Sequence, residues 1–67
     1  MDFATAFVTM SQGYRVGRKH WTGYWYIQGN DIIVHYGNGG RDHKLRDCPD
    51  MVRSLKNVVC NDWEIKQ

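Results

Sequence analysis

The 67-residue sequence has few of the residues that stabilise very small proteins covalently. Its two cysteines, Cys48 and Cys60, are too few for a disulfide framework and form no Cys-x-x-Cys pair typical of zinc sites. We expect both to be reduced thiols that behave as small apolar side chains. A domain of this length buries only about 60% of the surface of its unfolded chain. Oligomerisation is therefore the expected further source of stability.

Long apolar runs and a surplus of one charge are also missing. No uninterrupted apolar stretch exceeds a few residues, and no such stretch follows a basic start, so we expect neither a membrane span nor a signal peptide. A cytoplasmic location is the corresponding prediction. Nine Lys and Arg against seven Asp and Glu give a net charge of +2, which is too small to favour nucleic-acid binding by bulk electrostatics.

Aromatic residues are abundant by contrast, since 3 Trp, 4 Tyr and 2 Phe make up 13% of the chain. Nine rings are many for so small an interior, and we expect some of them to line an interface or a ligand pocket. In the segment Tyr24-Trp25-Tyr26, alternation along a strand would direct one side to the core and the other outward. An outward aromatic row would favour a subunit contact.

Hydrophobic periodicity predicts a helix at the start of the sequence, over residues 2–12. Asp2 is a suitable N-cap, and Gly13 supplies the left-handed residue that commonly ends a helix. Four apolar residues at i, i+3, i+4 and i+7 form one stripe: Phe3, Ala6, Phe7 and Met10. We expect this stripe to pack on a sheet.

From Tyr14 the period changes to two, which indicates strands. Residues 14–19 predict a short strand with a basic face, and residues 24–28 and 32–36 predict a hairpin. The glycine-rich residues 37–40 predict a second turn or a mobile loop.

The last third is harder to assign. Residues 41–47 fit either an edge strand or a loop. Pro49 is typical of the first turn of a helix, with Asp47 or Cys48 as its cap. Three apolar residues share one side of this helix (Met51, Val52, Leu55), with Arg53, Ser54 and Lys56 off it, and we expect residues 58–65 to form a strand. The prediction is a single α+β domain over residues 1–67, with the first helix packed on a small, mostly antiparallel sheet and a short second helix before a C-terminal strand.

No group of residues argues for catalysis. His35 and His43 flank the glycine turn and could form a metal site with Asp42, but the spacing fits no metal motif and surface histidines are the simpler interpretation. Residues 37–40 are not followed by Lys-Ser or Lys-Thr, so they are not a phosphate-binding P-loop. We therefore expect no catalytic residue, metal or cofactor.

Two clusters fit ligand binding. In the first, Arg15, Arg18, Lys19 and His20 precede Trp21, so that guanidinium groups could hold phosphates beside an indole on which a base can stack. The second is the segment at residues 61–63 (NDW), where an amide and a carboxylate could read ribose or base edges. The simpler interpretation is that Trp21 and Trp63 belong to the core, that the basic residues are solvated, and that Asp62 pairs with a basic neighbour.

The order of these features resembles the second family of Thoeris anti-defence proteins, small phage proteins that act as sponges. The resemblance rests on a helix followed by residues 13–21 (GYRVGRKHW), on the aromatic residues 24–27 (YWYI) and on residues 61–65 (NDWEI). It implies a domain that assembles into homo-oligomers and traps cyclic ADP-ribose-type signals or cyclic oligonucleotides without cleaving them. The middle of this sequence lacks the tryptophan-containing stretch that usually precedes the last helix of the family.

The resemblance also implies a set of ligand-binding residues. Trp21 would stack a base or form the pocket wall, Arg18 would contact phosphate, and Asn61 and Asp62 would read ribose or base. Trp25 and Arg15 are further candidate ligand contacts. Arg41 and Arg46 match no motif of the family and are candidate phosphate contacts from the flexible segment.

The implied function is immune evasion in the infected bacterial cell, by sequestration of a nucleotide second messenger at or near a subunit interface. The alternative hypothesis is a small protein-interaction module that inhibits a host protein through exposed aromatic residues. A nucleic-acid binder and a small nucleotide-cleaving enzyme are further alternatives.

Overall fold

The computed structural model describes residues 1–66 and contains one antiparallel sheet with two helices. The helices are α1 (Phe3–Ser11) and α2 (Met51–Lys56), and the strands are β1 (Arg15–Arg18), β2 (Tyr24–Gln28), β3 (Asp31–His35), β4 (His43–Lys44) and β5 (Trp63–Lys66). The strand order is β4-β3-β2-β1-β5, and each adjacent pair is antiparallel. The predicted α+β class is confirmed.

Helix α1 forms as its sequence predicts. The Asp2 carboxylate accepts a hydrogen bond from the Thr5 backbone N–H at 2.8 Å, which lowers the pKa of that carboxyl. Gly13 has a φ of 97°, a left-handed conformation that favours glycine. Ala6 and Met10 are buried against the sheet, whereas Phe7 is 45% exposed, so only part of the predicted stripe enters the core.

The core lies between α1 and one face of the sheet. Val16, Trp25 and Val34 lie opposite one another on β1, β2 and β3, and all three are buried. Trp63 on β5 is 2% exposed, and its ring centroid lies 5.0 Å from that of Phe3. Trp63 is therefore a core residue, as the simpler interpretation had it.

The predicted hairpin is confirmed, and the uncertain segment after it combines both alternatives. Tyr24 pairs with His35 and Gln28 with Asp31, so β2 and β3 are in register along their whole length. After the glycine-rich turn, only His43 and Lys44 form an edge strand. A 3-10 turn over Leu45–Asp47 then leads to α2.

The predicted cap of α2 is wrong. Asp50 is the N-cap, and its carboxylate accepts a hydrogen bond from the Arg53 backbone N–H at 3.2 Å. An N-cap side chain binds a backbone N–H two or three residues after it. Asp47 and Cys48 lie too many residues before Arg53 to bind its N–H in this way. Pro49 precedes the cap instead of occupying the first turn.

Apolar residues of α2 and of the turn after it are largely exposed. Val52 is 69% exposed and Leu55 is 46% exposed, and Val59, in the 3-10 turn Asn57–Val59 that continues the helix, is 86% exposed. The polar residues Ser54 and Asn57 face inward and are partly buried. The helix is thus amphipathic with its apolar side outward.

Strand β5 is shorter than predicted. It starts at Trp63, not at residue 58, because the backbone at Asn57–Val59 is still helical. The Asn57 carbonyl accepts a hydrogen bond from the Trp63 indole N–H at 3.0 Å, which ties this turn to the core. The Trp63 backbone N–H donates to the Met1 carbonyl at 3.1 Å on the edge of β5 that does not face β1.

Candidate functional site

A cleft of about 550 Å³ opens between the inner side of α2 and the ends of β2 and β3. One wall is the loop after β1, residues 19–23, which we call the rim loop. The lining consists of residues 20–23, Trp25, residues 34–37, residues 48–50, Arg53, Ser54 and Asn57. This volume lies within the range of small-molecule sites in proteins.

Tryptophan forms the apolar wall of the cleft. The Trp21 ring centroid lies 5.8 Å from that of Trp25 and 5.3 Å from that of Trp63, so the three indoles form one cluster. Trp25 and Trp63 are buried, whereas Trp21 is partly exposed. Trp21 therefore packs on the core and also faces the cleft, which combines the two interpretations of this residue.

The rim loop is held close to the end of β3 by two glycines. A Cβ atom on Gly23 would overlap the His35 carbonyl oxygen, and one on Gly37 would overlap the Thr22 side chain. Such close backbone approach requires residues without a side chain. The position of this wall is thus set by the close contact between the rim loop and the end of β3.

Lys66 holds the rim loop from the other side. Its side chain crosses Gly17 on the neighbouring strand, and its ammonium group donates to the Trp21 carbonyl at 2.8 Å and approaches the Glu64 carboxylate at 3.2 Å. The Lys66 side chain is only 15% exposed. The position of Trp21 therefore depends on β5 as well as on β1.

The opposite wall is the polar side of α2. Asp50, Arg53, Ser54 and Asn57 line the cleft at the spacing i, i+3, i+4 and i+7 of one helix face. The Arg53 guanidinium makes no ion pair with any of residues 1–66. This wall offers an uncommitted cation, a carboxylate and a hydroxyl, while the Asn57 amide is held by hydrogen bonds with Arg18 and the Ser54 carbonyl.

Arg18 and Asp62, both predicted to contact the ligand, bind each other beside the cleft. Arg18 Nε lies 2.8 Å from Asp62 Oδ1 and Nη2 lies 3.2 Å from Oδ2, while Nη1 donates to Asn57 Oδ1 at 2.9 Å. This bidentate pair lowers the pKa of Asp62 and raises that of Arg18. Asp62 therefore pairs with a basic neighbour, as the simpler interpretation had it. The pair positions Asn57 and hence α2.

The remaining predicted residues lie away from the cleft. Arg15 places its guanidinium 4.7 Å from the centroid of the Tyr24 ring, and Arg46 lies 2.9 Å from an Asp31 carboxylate oxygen. Arg41 and Asn61 are exposed outside strands and helices. Of the predicted ligand-binding residues, Trp21 and Trp25 line the cleft, and Arg18 and Asp62 lie beside it. The other four do not line it: Arg15, Arg41, Arg46 and Asn61.

A second polar cluster lies on the other face of the sheet. The Asp42 carboxylate accepts a hydrogen bond from the Tyr26 hydroxyl at 2.6 Å and lies 2.7 Å from His35 Nδ1. These bonds lower the pKa of Asp42, and the bond to Asp42 raises the pKa of Tyr26. The Tyr24 ring stacks on His35 with centroids 4.4 Å apart. The rings of Tyr24, Tyr26 and His35 therefore contact one another on this face of the sheet.

The cluster on this face does not form a metal site. Across residues 1–66 no three His, Cys, Asp or Glu side chains are grouped so that they could hold a metal ion. The metal site considered for His35, Asp42 and His43 is therefore not formed within the described residues.

Sequence reasoning missed the polar wall of α2. Asp50, Arg53, Ser54 and Asn57 were visible in the sequence as a stripe at helical spacing. The sequence placed Met51, Val52 and Leu55 on one side of this helix and Arg53 and Ser54 off that side, without showing which side faces inward. The sequence thus contained the polar stripe, but it did not show that this stripe faces the cleft.

No family model, curated protein or solved structure matches this chain. No helix within residues 1–66 is long and apolar enough to cross a membrane. The functional proposal therefore rests on the geometry of the cleft.

Proposed function

We propose that this protein is a non-catalytic nucleotide-binding protein that sequesters a host immune second messenger, a cyclic nucleotide of the cyclic ADP-ribose or cyclic oligonucleotide type. The observation that carries the proposal is a cleft with an indole on one wall and an unpaired guanidinium on the other. The proposed place of action is the cytoplasm of an infected bacterial cell.

The chemistry of the two walls suits the two parts of a nucleotide. Trp21 offers a partly exposed aromatic face on which a base can stack, an interaction worth about 1–3 kcal/mol per base. Arg53 can pair with a phosphate through two parallel N–H donors. Ser54 and Asp50 supply hydrogen-bonding groups for ribose or base edges.

Capture in such a cleft would inhibit by mass action. The messenger would be held intact, and its free concentration would fall below the level that activates its effector. This mechanism needs tight binding and a high concentration of the protein, and it needs no reacting group. Burial of a charged ligand is favourable only when its charge is paired, which gives Arg53 the main role in affinity.

The test is a thermal-shift screen against cyclic ADP-ribose isomers and cyclic di- and trinucleotides. A ligand at 100 times its dissociation constant stabilises the protein by about 2.7 kcal/mol, which is a large rise in melting temperature for a small domain. We expect Trp21→Ala and Arg53→Gln to abolish the rise. Tyr14→Ala, which removes an exposed ring outside the cleft, should retain it.

The variants are informative because one of them leaves the core intact. Trp21 contacts Trp25 and Trp63, so Trp21→Ala will lower the melting temperature of the free protein, whereas Arg53 is exposed and Arg53→Gln will not. Absence of any shift with the whole nucleotide panel would refute the proposal, as would recovery of cleaved nucleotide after heat denaturation.

An interaction module is the second candidate, and one observation favours it. Val52, Leu55 and Val59 form an exposed apolar strip on the outer side of α2, which we call the outer strip. The spacing of three and four residues is that of a helix-packing seam. If a second copy packs against this strip about a two-fold axis near Leu55, Val52 of each copy lies near Val59 of the other. A homo-oligomer of this kind is compatible with nucleotide binding in the cleft.

A further inference from the structure

The charged side chains that line the cleft cancel each other. Arg53 is its one formal positive charge and Asp50 its one formal negative charge, with His20 and His35 counted as neutral. The Arg18–Asp62 pair beside the cleft is also neutral as a unit. A site built for a highly charged anion would show a surplus of positive charge, and this cleft has none.

Building on the cyclic-oligonucleotide form of the proposed function, we propose that each cleft binds one phosphodiester, with a single negative charge, in preference to the two-charge pyrophosphate of a cyclic ADP-ribose-type ligand, and that Asp50 is the residue that sets this limit.

Arg53 can neutralise only one negative charge on a ligand. A planar guanidinium forms paired hydrogen bonds with one phosphate and neutralises one charge. Asp62 and Asn57 already hold three of the donor groups of Arg18, so the Arg18 guanidinium cannot turn to a second phosphate without breaking that pair. A second phosphate would therefore enter the cleft without a cationic partner.

Asp50 lies three residues before Arg53, at the N-cap of α2. Residues three apart on a helix lie about 5–6 Å from each other at Cβ, so an anion bound to Arg53 lies near the Asp50 carboxylate. Asp50 cannot turn away freely, because one of its oxygens accepts the Arg53 backbone N–H at 3.2 Å as the cap of α2. Like charges at this separation repel, and the repulsion grows with each charge on the ligand.

The same carboxylate can favour a ligand of the preferred class. Its second oxygen takes part in no hydrogen bond with residues 1–66, and Asp50 is among the residues that line the cleft. A carboxylate is an acceptor for ribose hydroxyl and base amino donors. Asp50 would thus bind the neutral part of a nucleotide and repel additional phosphate.

The test compares two probes that share an adenosine but differ in charge. Isothermal titration calorimetry at about 0.15 M salt would measure 3′,5′-cyclic AMP, with one phosphodiester charge, and ADP-ribose, with a two-charge pyrophosphate. We expect the wild-type protein to bind the first about tenfold more tightly. Asp50→Asn should reduce this preference about fivefold or more, mainly by strengthening the binding of ADP-ribose.

Asparagine is a suitable replacement because it also caps helices well, so α2 should remain folded. The matched control is Asp47→Asn, which changes the net charge by the same amount at a residue outside the cleft lining. The control should leave the preference unchanged.

The outcomes separate this inference from the proposed function. Equal or tighter binding of ADP-ribose by the wild-type protein would overturn the charge limit while leaving nucleotide binding intact. An equal effect of Asp47→Asn and Asp50→Asn would overturn the role of Asp50. Binding of neither probe would overturn the charge limit, whereas the nucleotide site itself is tested separately by the thermal-shift panel.

Discussion

At the residue scale, the cleft depends on two glycines that carry no functional group. Gly23 and Gly37 let the rim loop and the end of β3 approach until their backbones touch, and this contact sets where Trp21 lies. A larger residue at either position would need a backbone shift, because the atoms in the way at Gly23 are backbone atoms that cannot rotate aside.

Gly23→Ala tests this contact. We expect it to destabilise the fold by about 1–3 kcal/mol, the usual range for an inserted methyl group in a packed site. Gly40→Ala is the control, since the nearest atom to a Cβ there is the Asn38 side-chain oxygen at 3.2 Å, which can give way. Urea unfolding measures both changes, and equal stabilities of the two variants would contradict the steric account.

At the element scale, α2 shows what periodicity can and cannot predict. Period and turn residues correctly predicted α1 and the β2–β3 hairpin, because those elements bury the residues that their own patterns mark as apolar. In α2 the same pattern located the helix but did not give its orientation. Its direction is fixed by the hydrogen bonds of Asn57 with Arg18 and Trp63, which come from distant parts of the sequence.

The candidate site was predictable to a similar extent. Trp21 was identified because tryptophan next to a basic cluster is a local signal, and Trp25 was identified within an aromatic strand. Arg53 and Asp50 were not identified, because their role follows from the orientation of α2. Arg18 and Asp62 were each identified as candidate ligand contacts, but their contact with each other spans 44 residues and no local pattern shows it.

The outer strip of α2 gives a prediction for this element. If the strip is a contact between two copies of the chain, sedimentation velocity should show a concentration-dependent dimer that Leu55→Glu converts to a monomer, because a carboxylate at the centre of an apolar contact is desolvated without a partner. Val8→Glu is the matched control, since Val8 is also a half-exposed aliphatic residue on a helix. A wild-type protein that stays monomeric at high concentration would exclude this contact.

At the scale of the whole molecule, three carboxylates couple the stability of the fold to pH. Hydrogen bonds from Thr5, from Tyr26 with His35, and from Arg18 lower the pKa values of Asp2, Asp42 and Asp62 below the ordinary value of 3.8. The folded state then binds fewer protons than the unfolded state in this pH range. The resulting stability is fully present above pH 3.8 and is lost as the pH falls through the folded-state pKa values.

The corresponding prediction is a melting temperature that falls steeply below about pH 4. Asp62→Asn should lower the melting temperature at neutral pH and make the acid-side decrease shallower, because it removes one of the three linked groups. Asp47→Asn should keep the wild-type profile, since the Asp47 carboxylate forms no ion pair within the described residues. Calorimetry between pH 3 and 7 would measure all three proteins, and identical profiles would contradict the linkage.

The placement of β5 beside β1 has a consequence for synthesis in the cell. The ribosome makes the rim loop before it makes Lys66, Asp62 and Trp63, the residues that hold this loop and the tryptophan cluster, and the contact of Lys66 with Trp21 spans 45 residues. A nascent chain therefore carries Trp21 without these contacts until β5 has been translated. A product truncated before β5 would contain Trp21 and Trp25 but not the contacts that position Trp21.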